Sequence, residues 1–230
     1  TINTIYLEES VIPIQEVVIR RTDPMHLLNA ALQRIPENYS AKPVIETAFY
    51  RESILKDDIY VSISEAVVEV YKPGHNSRST EQVKVLRGRK NNDLREMDTL
   101  MVKLKAGLQT SFLLDIIRNR PDFLQEEQFH RYKYRMSDIV VLQDRYTYAI
   151  DFQQKENTSP PSYRGRIYIG LESLAFRGVE FEVDPKTISS VASSMVIKKP
   201  RKVRVRPITA SYSVRYKSDG DLFYLSLIRA

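Results

Sequence analysis

The run VIETAFYRESIL (Val44–Leu55), the polar triplet Lys56-Asp57-Asp58 and the run IYVSISEAVVEVY (Ile59–Tyr71) decide the fold. Both runs are rich in β-branched and aromatic residues, which suit a pleated, half-buried surface, and a connection this short joins antiparallel neighbours. The second run changes phase. Ile59, Val61 and Ile63 share one face and Ala66, Val68 and Val70 the other, which predicts a bulge near Glu65 and a bent sheet.

Three further pairs of the same kind follow. Ile139–Leu142 faces Tyr146–Phe152 around Asp144-Arg145, Tyr163–Ile169 faces Ala175–Val183 around Glu172-Ser173, and Ile208–Tyr216 faces Leu222–Ile228 around Ser218-Asp219-Gly220. Four hairpins in succession predict a meander. Two segments carry helical spacing instead. Asp23 before Pro24 is a capped start, Leu27, Leu28, Ala31, Leu32 and Ile35 fall on one face, and Pro36 is expected to stop the helix. The second helix is predicted from Leu108 to about Arg118, with Phe112, Leu113, Ile116 and Ile117 as its stripe and Pro121 beyond it. Lys72–Thr80, Gln153–Ser162 and Asp184–Pro207 read as loops. At the N-terminal end, Thr4–Leu7 and Ile14–Ile19 are extended pieces split by Pro13, an edge or linking ribbon.

The expected fold class is therefore α+β: a curved, mainly antiparallel, half-barrel-like sheet of about seven to nine strands with two helices packed on one face. At 230 residues, with 42% hydrophobic and 28% charged side chains, the chain has material for a substantial core without a staple. It has no cysteine, which excludes thiol chemistry and thiolate metal sites. No apolar run approaches the roughly 20 residues of a membrane helix. A net charge of +6 favours anionic partners, yet it is modest for this length and no nucleic-acid role is expected.

With the strands placed, Ala48–Glu52, Tyr60–Ala66, Gly88-Arg89-Lys90 and Met97-Asp98-Thr99-Leu100 occur in an order that resembles the carboxypeptidase-like regulatory-domain-containing envelope proteins of Bacteroidota. The resemblance covers most of residues 1–180. It implies that residues 1–22 are the last strand of a preceding β-sandwich and its linker, and that residues 23–230 are one α+β domain, cut short at its C-terminus. It implies export, to the periplasm or the outer membrane, and no peptidase activity. In that setting Asp98-Thr99-Leu100 looks like a periplasmic O-glycosylation triplet on Thr99. A second likeness, carried by Tyr163–Ile169 and Leu174–Phe181, is to lipoprotein-carrier half-barrels, which hold an apolar ligand between sheet and helices.

The residues themselves offer little catalysis. His26, His75 and His130 sit on different elements without metal-ligand spacing, no nucleophile elbow is present, and seven glycines supply no phosphate loop. Neither metal nor cofactor is expected. Adjacent acids such as Asp57-Asp58 are turn charge. Glu52 and Glu65, on neighbouring strands, are the better candidates for an acid pair, although a cross-strand partner for Arg51 explains either of them as well. Tyr50, Tyr60, Tyr168 and Glu65 are the candidate ligand-binding residues, since tyrosines on strands can line a sugar or lipid cleft. Lys198, Lys199, Arg201, Lys202, Arg204 and Arg206 form a basic run for an anionic partner, with alternation from Lys202 onward. It reads equally as a charged, solvated edge strand.

The function expected from these readings is a non-catalytic binding or interaction module of the cell envelope, its ligand a lipid, a glycan or another envelope protein. Two alternatives stand beside it: a structural linker between flanking domains of an outer-membrane-associated protein, and a glycan- or peptide-processing enzyme in which two acids, or an acid and a histidine, share one pocket.

Overall fold

The computed structural model describes residues 23–92, 103–104, 107–155, 161–191, 196–198, 201–202, 204 and 206–230. The expected ribbon in 1–22, the triplet with Thr99, and Lys199 lie outside them. Helix α1 (Pro24–Gln33) starts as its sequence predicts, the Asp23 carboxylate accepting the Met25 N–H at 2.9 Å. Pro36 does not end the helical path. It falls in the first turn of a second short helix, α2 (Ile35–Asn38), where a missing N–H costs nothing.

Val44–Lys56 (β1) and Ile59–Lys72 (β2) form the expected hairpin, turning through Asp57 and Asp58 at φ of 51° and 63°. A third strand, Gln82–Asn92 (β3), completes a three-stranded sheet in the order β1-β2-β3. It is almost wholly exposed, so its sequence lacks the alternation that would announce it. Lys103–Leu104 (β4) precedes a short helix, α3 (Leu108–Phe112). The predicted helix to Arg118 stops there because the Asp115 carboxylate takes the Ile117 N–H at 3.1 Å, offering the backbone a turn in place of the next helical bond. Leu113, expected in the buried stripe, is 60% exposed in consequence.

The second sheet has six strands, in the order β11-β10-β8-β7-β6-β5. They are Tyr132–Leu142 (β5), Arg145–Gln154 (β6), Tyr163–Gly170 (β7), Phe176–Val183 (β8), Ser211–Asp219 (β10) and Leu222–Arg229 (β11). The remaining strand, Val196–Lys198 (β9), pairs with β4 inside a stretch that reads as loop. Every ladder is antiparallel, and the fold is α+β with the strands shared between two open sheets and a two-stranded ribbon.

Curvature comes from bulges. Register slips by one residue at Val61 in β2, Leu86 in β3, Arg177 in β8 and Ser226 in β11, and β5 places Ser137 and Asp138 against Ala149. Each extra residue bends its strand and adds twist. The bulge expected near Glu65 is thus displaced to Val61. Glu65 itself stays in register, opposite Arg51 on one side and Arg89 on the other.

One face of the six-stranded sheet carries the main core. Ile150, Phe152, Ile167, Ile169, Phe181 and Val214 are covered by α1, α2 and the segment from Ile116 to Tyr132. Phe123 sits fully buried at the centre, its ring stacked 4.3 Å from Phe152 and tilted against Phe181 at 5.2 Å. A second cluster lies on the inner face of the small sheet, where Ala48, Ala66, Val68, Val70 and Val83 meet Leu108 and Phe112 of the α3 helix and Ile228 of β11. The two sheets therefore join along α3 and β11.

Candidate functional site

At that junction the chain places charge where it is least soluble. Asp115 falls within the otherwise apolar run from Phe112 to Ile117, and only 1% of its side chain is exposed. Its Oδ1 accepts the Tyr216 hydroxyl at 2.6 Å and the Ile117 N–H, and its Oδ2 faces Lys72 Nζ at 2.7 Å. A buried charge persists only when partnered in this way. Glu46, on the inner face of β1, turns toward the same group. Its Oε1 is buried without a hydrogen-bond partner among the described residues. Burial pushes the Glu46 carboxyl above the usual carboxylate range, Lys72 opposes the rise, and Asp115 adds to it. Tyr39 donates to the Phe176 carbonyl at 2.7 Å and sets its ring edge-on to Tyr216, 5.5 Å away. Burial first and the Asp115 charge second hold both phenols well above their ordinary value.

His75 and Arg118 complete the walls of this cleft. His75 Nδ1 lies 3.2 Å from the Ser40 carbonyl, and Arg118 reaches across to Glu81 at 2.7 Å and to the Ser77 and Ser79 carbonyls. An acid and a histidine do share one pocket here, Glu46 and Asp115 with His75, whereas Glu52 and Glu65 are not in it. The free volume is about 30 Å³, room for a few waters. A sugar ring or a peptide side chain needs a cleft roughly ten times larger. The group joins β1, β2 and β10 to the segment that follows α3, and joining them is what its geometry does.

The four tyrosine and glutamate candidates do not converge. Tyr50 and Glu52 lie on the inner face of β1, the Tyr50 hydroxyl donating to the Glu52 carboxylate. Glu65 points from the opposite face, so Glu52 and Glu65 cannot flank one substrate. Arg51 Nε contacts Glu65 at 2.9 Å and Arg89 Nε closes on its other oxygen. The Arg89 hydrogen bond foremost holds the Glu65 carboxyl below the usual range, the cross-strand role the sequence offered as its bland reading. Tyr60 is exposed near the β1–β2 turn. Tyr168 belongs to the other sheet, where its hydroxyl donates to Glu180 at 2.9 Å and Arg215 lies 4.8 Å above its ring. That outer face is self-paired: Asp151 holds both Arg166 and Arg135, Arg164 holds Glu182, and Arg215 holds Glu180.

The outer face of the small sheet is different. Reading across the strands, the rows are Ile45, Tyr71, Gln82; then Thr47, Glu69, Lys84; then Phe49, Val67, Arg87; then Arg51, Glu65, Arg89; then Ser53, Ile63, Asn91. Ile45 is 68% exposed and Phe49 64%, with Val67 and Tyr71 partly exposed beside them. Apolar and aromatic side chains interleaved with arginine are the composition of an interface centre. Of the candidate ligand-binding residues Glu65 alone lies in these rows, and Ile45, Phe49, Val67 and Tyr71 are not among the candidates. The face's one sequence signal is that Ile45 and Phe49 alternate with Glu46, Ala48 and Tyr50, so a strand with apolar residues on both sides must expose one of them.

Among the described residues of the basic run, none from Arg201 onward lies in the expected strand. Lys198 ends β9, Arg201 and Lys202 lie in a turn, and Arg204 and Arg206 are exposed in irregular chain. Pro200 and Pro207 bracket the stretch and remove ladder donors at both ends. Among the described residues no three His, Asp or Glu gather as metal ligands, and no helix is long and apolar enough to cross a membrane. Comparison with family models, curated proteins and solved structures finds no match in any of the three, so the family resemblance rests on its sequence motifs alone.

Proposed function

We propose that this chain is a non-catalytic interaction module of an exported cell-envelope protein, in the periplasm or at the outer membrane, and that it binds a protein partner through the outer face of β1, β2 and β3. The observation that carries this reading is the set of exposed apolar side chains on an otherwise well-formed sheet, Ile45 with Tyr71 in one row and Phe49 with Val67 in another, set beside Arg87 and the Glu65-held Arg51 and Arg89. The rival surfaces supply less. On the large sheet the outer-face charges named above neutralise one another. The helix-covered face of that sheet is filled with packed side chains. Asp57 and Asp58 at the tip of the first hairpin oppose insertion into an anionic bilayer, which favours a protein partner over a lipid surface.

A photo-crosslinking amino acid at Thr47, on this face, tests the reading in the full-length protein in its own cells. A discrete adduct is expected, absent when Phe49 is changed to Asp, and absent when the crosslinker sits at Lys133 on the large sheet. No adduct from position 47, or adducts of equal strength from both positions, would overturn it. An adduct within the same polypeptide would favour the linker alternative, in which the face packs on a flanking domain.

A further inference from the structure

We infer that the edge of β3 turned away from β2 accepts an extended, acidic segment of the partner as a fourth strand of the small sheet. This deepens the proposal above and rests on it. The strand pairs with β2 along one side, and its other side joins no ladder among the described residues. It carries Lys84, Arg87, Arg89 and Lys90 and no acid, whereas β1, the opposite edge, balances Arg51 and Lys56 against Glu46 and Glu52. Arg89 is engaged by Glu65. Lys84, Arg87 and Lys90 have no ion pair among the described residues. Beyond the Leu86 bulge, Arg87 to Asn92 runs in unbroken register against Ser62 to Val67, a regular template of outward N–H and C=O groups.

Charged edges usually guard against aggregation, and this one does so selectively. A second copy of β3 would bring eight cations together, whereas a strand with acids at alternate positions would set them beside Lys84 and Arg87, which share one face of the strand across the bulge. The exposed Val85 and Leu86 would take an apolar residue at the end of such a segment.

The probe is a peptide of about twelve residues alternating Glu and Val, long enough to span the β3 edge. Its controls are a Lys-Val peptide and the Glu-Val peptide N-methylated at every second amide. With the whole chain, the Glu-Val peptide is expected to bind and to slow hydrogen exchange within Arg87 to Asn92. Arg87→Glu with Lys90→Glu should weaken it by about ten-fold or more, as should N-methylation. Lys133→Glu, on the large sheet, should leave peptide binding intact. Binding that N-methylation does not touch would reduce the effect to charge attraction and overturn strand addition. So would a peptide-free dimer with β3 protected, which assigns the edge to a second copy. If the peptide fails to bind while the position-47 adduct stands, only this inference falls. If the adduct fails while the peptide binds, the face reading falls instead.

Discussion

Removing the Asp115 carboxylate while keeping Lys72 strands an ammonium that is only 12% exposed and leaves the Tyr216 hydroxyl without its acceptor. Asp115→Ala is therefore expected to cost about 3–5 kcal/mol in urea denaturation. Lys72→Met together with Asp115→Leu should recover most of that loss, because both charges then leave the interior at once. A double variant as unstable as Asp115→Ala would assign the loss to packing around Tyr216 and not to the ion pair. Glu46 behaves in the opposite sense. Its folded-state carboxyl titrates above the usual range, so the folded chain binds that proton more tightly than the unfolded one, and stability falls as pH rises through the window between the two values. Glu46→Gln should raise the melting temperature at pH 7, and the advantage should vanish below about pH 4, where both states carry the proton. A melting difference that does not change with pH would show that the Glu46 carboxylate is already solvated in its cleft.

The hairpins show where local chemistry suffices and where it does not. Asp57 and Asp58 both hold left-handed φ, a conformation that aspartate tolerates and glycine prefers. Asp58→Gly should stabilise the chain by about 1 kcal/mol, readable as a higher urea midpoint. The four strand pairings and the start of α1 are legible because alternation, turn residues and a cap are written within a few neighbouring positions. Strand β3 is not, since a strand exposed on both faces carries no pattern. The halt of the α3 helix is likewise hidden: Phe112, Leu113, Ile116 and Ile117 read as a helical stripe until the Asp115 carboxylate is seen to bond its own backbone. Least legible was the buried group. Glu46, Lys72 and Asp115 are far apart in sequence, and each alone looks like ordinary surface charge. Asp115, a lone acid inside an apolar run, was the one hint.

Taken whole, the molecule sorts its polar chemistry by place. The large sheet neutralises its outer charges among themselves and fills its inner face with rings, which leaves it a rigid support. The small sheet turns Ile45, Phe49, Val67 and Arg87 outward beside the Arg51–Glu65–Arg89 pairing, and the Asp115 group ties it to the support at their junction. That junction also has an optical consequence. The chain has 14 tyrosines and no tryptophan, so its native emission is tyrosine emission, and a phenol hydrogen-bonded to a carboxylate, as Tyr216 is to Asp115, emits weakly. Any event that pries the sheets apart will brighten Tyr216, and the difference between the chain and its Tyr216→Phe variant isolates that one ring as a built-in, label-free gauge of whether the junction is closed.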